Sequence, residues 1–110
     1  MTLETAFHYE IEKSEDPTTG RVTTIKLQGK LNGEGAVQIK ELVKPIIASG
    51  GRIVMDFADL SYLDSAGLGI LVSLKISAIH QGYCTLELVN LSPRVRDLLS
   101  LTNLLELFSK

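Results

Sequence analysis

The segment at residues 56–69 carries the side chains that are best suited to chemistry in this chain. A predicted buried strand ends at its start, a short loop follows, and Ser65 begins a predicted helix with Gly67 and Gly69 in its opening turns. The acidic residues of the segment are Asp56, Asp59 and Asp64. Glycine costs about 1 kcal/mol relative to alanine inside a helix. The two glycines therefore indicate that another group must approach this backbone closely.

Two kinds of reactive site could use these residues, but the surrounding sequence argues against both. A serine nucleophile on a strand–turn–helix elbow follows a glycine two positions earlier, where this chain has Leu63, and only His8 and His80 could serve as the base. A phospho-aspartate receiver centred on Asp56 would need an acidic pair after its first strand to hold Mg²⁺, and no such pair follows Leu27. The Cys and His residues also lack metal-ligand spacing. We therefore expect no enzymatic activity, no metal and no cofactor.

The composition is that of one small domain. The chain has 110 residues, of which 45% are hydrophobic, so a single domain over residues 1–110 can bury a core without metals or disulfides. Its 11 basic and 13 acidic residues form no basic cluster, which argues against nucleic-acid binding. No apolar run reaches the roughly 18 residues of a membrane span, and the N-terminus lacks the features of a signal peptide. We expect a cytoplasmic protein with no direct membrane insertion, and no pattern specifies its oligomeric state.

The first two predicted strands form an antiparallel hairpin. Residues 5–12 alternate between apolar and polar side chains, which predicts a half-buried strand. Residues 14–20 are dense in turn formers and predict a rather long loop. The β pattern resumes over residues 21–28.

A helix with an internal proline is predicted next. Apolar side chains recur at helical spacing over residues 37–47, and Asn32 is suited to cap the helix. Pro45 removes a helical hydrogen bond and clashes with the preceding turn. We therefore expect a kink at the proline or a helix that ends near Lys44.

The second half of the chain alternates strands and helices. Its predicted elements are a strand over 52–57, a helix over 65–80 that stops at Gly82, a strand over 85–90, a helix that starts at Ser92 and Pro93, and an apolar tail over 104–108 that packs down. The order β-β-α-β-α-β-α predicts an α/β layered domain with a mixed, mostly parallel sheet and helices. The helix over 65–80 is apolar enough for two interpretations, which are burial on two sides or a partly exposed docking face.

Residues 63–69, with the sequence LDSAGLG, resemble the signature of STAS domains, which are named for sulfate transporters and anti-sigma-factor antagonists. Residues 27–32, 54–62 and 92–104 are similar to other elements of that family, in the same order. In the family's antagonists the Ser or Thr after the Asp is phosphorylated, so the resemblance implies phosphorylation of Ser65 and a single-domain STAS fold. The phosphorylation-loop and partner-binding residues that it implies are Asn32, Asp56, Asp59, Asp64, Ala66, Gly67, Leu68 and Gly69.

Three residues depart from the family pattern. Asn32 stands where an Asp is usual, which removes a carboxylate expected near the phosphorylation loop. Ala66 stands where a Ser or Thr is frequent. Asn103 stands where Gly is common, although asparagine also tolerates the left-handed conformation that ends helices.

The resemblance implies partner switching in bacterial signalling and transcription regulation. The unmodified chain would bind an anti-sigma factor that is also a serine kinase with a histidine-kinase-like ATPase fold, and would thereby release the sigma factor. Phosphoserine brings about −1.5 to −2 charges to a loop that already holds carboxylates, so the kinase would dissociate until a serine phosphatase resets the cycle. Two alternatives stay open. Ser65 could simply cap its helix, and the chain could be a STAS scaffold that is never phosphorylated, such as a regulatory subunit of a membrane transporter complex.

Overall fold

The structure is a computed structural model that describes residues 7–108. This part of the chain contains eight helices and strands. The strands are β1 (His8–Asp16), β2 (Gly20–Leu31), β3 (Gly51–Leu63) and β4 (Cys84–Val89). The helices are α1 (Gly33–Ser49), α2 (Ser65–Gln81), α3 (Pro93–Leu101) and α4 (Leu105–Phe108). The predicted order β-β-α-β-α-β-α is confirmed, and the apolar tail adds the single turn α4.

The strands form one sheet in the order β1-β2-β3-β4. The first pair is antiparallel and the other two pairs are parallel, which confirms the mixed, mostly parallel sheet. Because α1 and α2 each connect one parallel strand to the next, both helices begin at the end of the sheet where β2 and β3 finish. The core lies between the sheet and these helices. Its fully buried members include Ile25, Ile53, Phe57 and Leu86 from the sheet and Ile39, Val43 and Leu71 from the helices.

The hairpin differs from its prediction in two respects. The loop is short rather than long, because only residues 17–19 separate β1 from β2. Asp16 shortens it, since its Oδ1 accepts hydrogen bonds from the backbone N–H groups of Thr18 at 2.7 Å and Thr19 at 3.1 Å. The expected half-burial is also wrong, because β1 is an edge strand that is exposed along nearly its whole length. Residues 5 and 6 of the predicted strand lie outside the described residues.

Pro45 does not end α1, which continues to Ser49. Val43 and Ile47 are buried on either side of the proline, whereas Pro45 itself is exposed. The apolar face of the helix therefore stays packed against the core on both sides of Pro45, although the proline cannot donate a helical hydrogen bond. The free energy of this packing outweighs the local cost of the proline.

The third strand is longer than predicted. Beyond Asp56, where pairing with β4 stops, β3 continues to Leu63 by pairing with β2 alone. Irregularities in that pairing fall between Lys26 and Gln28 and between Gly29 and Lys30. Most of the predicted loop is consequently strand, and Asp64 is the one residue between β3 and α2.

Helix ends in the second half of the chain agree with prediction. Gly82 terminates α2 with φ at 87°, Ser92 caps α3 and Pro93 is its first residue. Asn103 adopts φ at 61°, the left-handed conformation in which asparagine replaces glycine. Cys84 is buried.

Candidate functional site

The site lies where β2 and β3 end and α1 and α2 begin. Leu31 and Leu63 are partners at the end of the parallel pair, so the two helices that follow them start side by side. The backbone N–H of Asp64 donates to the carbonyl oxygen of Leu31 at 3.3 Å, which ties the two strand ends together. The fold therefore brings Asn32 close to Asp64 and Ser65.

Each of these helices is capped by the residue that precedes it. The Oδ1 atom of Asn32 accepts a hydrogen bond from the N–H of Gly35 at 3.3 Å, and the Oδ1 atom of Asp64 accepts one from the N–H of Gly67 at 2.9 Å. Asparagine and aspartate are about equally good caps. Asn32 thus preserves the cap of α1 without the negative charge of the Asp that is usual there.

Ser65 is the first residue of α2, and it is exposed. The alternative in which Ser65 caps the helix is wrong, because Asp64 occupies that position. The Ser65 hydroxyl is therefore not needed as a cap and is accessible to a second protein. An anion attached here would lie near the unpaired N–H groups and the positive end of the helix dipole.

The two glycines of the first turns of α2 have different surroundings. A Cβ atom on Gly67 would lie 2.5 Å from the carbonyl oxygen of Leu31 and 2.8 Å from Cδ1 of Leu63. The backbone that approaches Gly67 is consequently the chain's own. A Cβ atom on Gly69 would meet nothing within 4 Å outside its own helix turn.

The three carboxylates do not form the cluster that the sequence suggested. Asp56 and Asp59 lie in β3, eight and five residues before Asp64. At about 3.3 Å per residue, these positions are roughly 26 Å and 16 Å away along the strand. The acidic residue that the fold does bring to the site is Glu34, exposed in the first turn of α1. The position of Glu34 near the start of α2 follows only from the pairing of the two strand ends, so it could not be predicted from the sequence.

Asp56 has a structural role at the point where β4 leaves the sheet. Its Oδ1 accepts hydrogen bonds from Nδ2 of Asn90 at 3.0 Å and from the N–H of Ala58 at 2.9 Å. Asn90 adopts φ at 57° directly after β4. The Asn90 amide, together with the Ala58 N–H, lowers the pKa of Asp56 below its usual range, although partial burial opposes the shift.

The lowered pKa of Asp56 predicts how an Asp56→Asn variant will respond to acid. A carboxylate whose pKa is depressed by folding contributes stability above its unfolded pKa of about 4 and loses that contribution as the pH falls through the folded pKa. We expect the variant to be less stable by about 0.5–1.5 kcal/mol at pH 7, with the difference from wild type shrinking toward pH 3. Urea unfolding at both pH values measures this. A difference that stays constant between them would contradict the role of the charge.

One side of α2 is buried and the other is partly exposed. The buried side consists of Gly67, Leu71, Leu74, Lys75 and Ala78. On the other side Ile76 and Ile79 are 42% and 44% exposed, and Leu68 and Val72 are half-buried. Of the two interpretations of this helix, burial on two sides is wrong, and the structure shows a partly exposed apolar face.

Lys75 is the polar member of the buried side of α2. Its Nζ donates a hydrogen bond to the carbonyl oxygen of Leu86 at 2.8 Å, which holds the helix to β4. Burial lowers the pKa of this amine. The sequence pattern showed a lysine that interrupts an apolar helix and gave no sign that it is buried.

An apolar groove borders the site on its other flank. The end of β3 and the helix α3 enclose a volume of about 620 Å³, whose apolar lining residues are Leu60, Tyr62, Leu63, Val95, Leu98 and Leu101. Leu101 is 83% exposed, and Nζ of Lys30 lies 5.8 Å from the ring centroid of Tyr62. Within residues 7–108, no group of three or more His, Cys, Asp or Glu side chains could hold a metal ion, and no helix is long and apolar enough to cross a membrane.

Comparison with known proteins gives consistent matches along most of the chain. The family model for the STAS domain matches residues 13–110. A STAS-domain containing protein of Pseudomonas aeruginosa is 30% identical over 89 residues, which cover 81% of this chain and 87% of that protein. The anti-sigma-B factor antagonist of Staphylococcus aureus is 29% identical over 94 residues, which cover 84% of this chain and 86% of that protein.

The fold is similar to that of SpoIIAA, an anti-sigma factor antagonist whose structure is known in two states. The unphosphorylated form superposes with a TM-score of 0.70 at 25% identity, covering 88% of this chain and 82% of that one. The phosphorylated form, from Bacillus, superposes with a TM-score of 0.68 at 26% identity, covering 90% and 85%.

Proposed function

This chain belongs to the STAS domain family, and on that premise we propose that it is an anti-sigma-factor antagonist controlled by phosphorylation of Ser65. The unmodified chain binds an anti-sigma factor that is also a serine kinase with a histidine-kinase-like ATPase fold, called the anti-sigma kinase below. Binding releases the sigma factor in the cytoplasm. The kinase phosphorylates Ser65, the modified chain dissociates, and a serine phosphatase restores the unmodified form.

The observation that carries this proposal is the position of Ser65. The hydroxyl is exposed at the start of α2, directly after the Asp64 that caps the helix. The proposal is further supported by two relatives, one named an anti-sigma-B factor antagonist and the other a cell fate determinant solved in a phosphorylated form.

Phosphorylation would act on the docking surface and leave the fold intact. A phosphate at the first position of α2 is stabilised by the free N–H groups of the helix, and Asn32 adds no negative charge beside it. The same phosphate places about −1.5 to −2 charges on an exposed surface that already carries Glu34. A partner complementary to the neutral hydroxyl would face an anion that it does not compensate, and such juxtapositions cost several kcal/mol.

The proposal is tested by incubating the chain with ATP and the purified anti-sigma kinase, taken as the serine kinase encoded by a neighbouring gene. Mass spectrometry should find one phosphate, on Ser65, in the wild-type chain and none in a Ser65→Ala variant. Equal modification of both chains would assign the phosphate to another residue. Absence of phosphate from both, under conditions in which the kinase is active, would favour the alternative of a STAS scaffold that is never phosphorylated.

A further inference from the structure

Gly69 occupies a helical position where the chain itself has no need of glycine. It is exposed in the second turn of α2, and a Cβ atom there would meet nothing within 4 Å outside its own helix turn. Its backbone φ is not positive, so alanine would fit without strain. Apart from proline, glycine is the least favourable residue in a helix interior. Nothing in the described structure offsets that cost.

The position of Gly69 on the helix links it to Ser65. At 3.6 residues per turn, Ser65, Gly69, Val72, Ile76 and Ile79 all lie within about 40° of the Ser65 direction around the axis. The face therefore presents a hydroxyl, then bare backbone, then a half-buried valine and two isoleucines that are more than 40% exposed. We call this set of five residues the α2 face.

We propose that Gly69 is the point at which the backbone of the anti-sigma kinase approaches the α2 face most closely. This inference rests on the proposed function, because a kinase that transfers phosphate to Ser65 must cover the first turn of α2, and Gly69 lies one turn further on. A residue without a side chain lets a partner pack directly against the helix backbone. Ile76 and Ile79 then supply apolar surface for the partner to bury.

The proposal is tested with Gly69→Ala in the full chain, matched by Ser77→Ala. Ser77 is also exposed on α2, but it lies about 120° around the helix from Ser65. Both substitutions raise helix propensity, so both should raise the thermal unfolding midpoint, with Gly69→Ala giving a shift of about 4 °C. Calorimetric titration with the unphosphorylated chain should show affinity for the anti-sigma kinase reduced about tenfold by Gly69→Ala, reduced further by Gly69→Leu, and unchanged by Ser77→Ala.

Four results would overturn the proposal. The first is wild-type affinity of Gly69→Ala, and the second is a lowered unfolding midpoint, which would mean that the fold itself needs this glycine. The third is a wild-type dimer in sedimentation that Gly69→Ala disperses, which would make a second copy of this chain the occupant of the α2 face. If the wild-type chain binds but phosphorylation of Ser65 does not weaken binding, the proposed switch fails while the Gly69 contact stands. Absence of any binding by the wild-type chain would overturn both.

Discussion

A chain phosphorylated on Ser65 should bind the anti-sigma kinase about a hundredfold more weakly than the unmodified chain. That factor corresponds to about 3 kcal/mol, within the several kcal/mol that an uncompensated like charge costs at an interface. The penalty falls on binding alone, because Ser65 is exposed and the start of α2 favours an anion in the free chain. Calorimetric titration of the two forms measures the ratio of the affinities. Thermal unfolding should give nearly equal midpoints.

Charge variants separate the effect of the phosphate from that of its position. Ser65→Asp carries one negative charge and should weaken binding in the same direction by a smaller factor, whereas Ser65→Ala should retain the wild-type affinity. The matched control is Ser77→Asp, which places the same charge on an exposed position of α2 away from Ser65. Equal weakening by Ser65→Asp and Ser77→Asp would show that net charge, and not the α2 face, governs recognition. Equal affinity of the phosphorylated and unmodified chains would end the switch hypothesis.

The sequence predicted many of the features that depend on neighbouring residues, although it left open a cap of α2 at Ser65 where the structure has Asp64. Helix caps depend on a side chain three residues from the N–H that it accepts, so Asn32 and Ser92 could be identified from spacing alone. The end of α2 at Gly82 has a similarly local cause, because glycine adopts the left-handed conformation there without strain. The apolar run that contains Ile53 and Phe57 predicted a strand covered on both faces, but only alternate residues of it are buried, so one face of β3 receives the core.

Features that depend on pairing between distant segments were not predictable. Residues 58–63 lack a clear β pattern, and their strand exists because β2 extends alongside them with two irregularities in its register. Asp56 and Asp59 therefore looked like parts of one loop with Asp64, whereas both lie within β3. Glu34 and Asp64 are thirty residues apart in the chain, and the helix starts that carry them lie side by side only because Leu31 and Leu63 are paired. Pro45 shows the same limit, since burial of its helix outweighs a local signal to stop.

Gly67→Ala should destabilise the domain by about 1–2 kcal/mol net, the opposite sign to Gly69→Ala. Its Cβ atom would lie 2.5 Å from the carbonyl oxygen of Leu31, an atom of the backbone that cannot rotate away as a side chain does. Relief requires α2 to move off the end of β2, which would stretch the hydrogen bond from Asp64 N–H to that same oxygen. Overpacking of this kind costs about 1–3 kcal/mol or more, and it exceeds the gain of about 1 kcal/mol in helix propensity.

Urea unfolding of the pair of variants decides between the two explanations for glycine in these turns. A lower free energy of unfolding for Gly67→Ala and a higher one for Gly69→Ala would show that one glycine serves the fold and that the other does not. If Gly67→Ala were as stable as wild type, the contact between Leu31 at the end of β2 and the first turn of α2 would have to open at little cost in free energy. In that event α2 could shift relative to the end of β2, and the position of Ser65 beside Asn32 would not be fixed. A switch that relies on a fixed α2 face would then lose its structural basis.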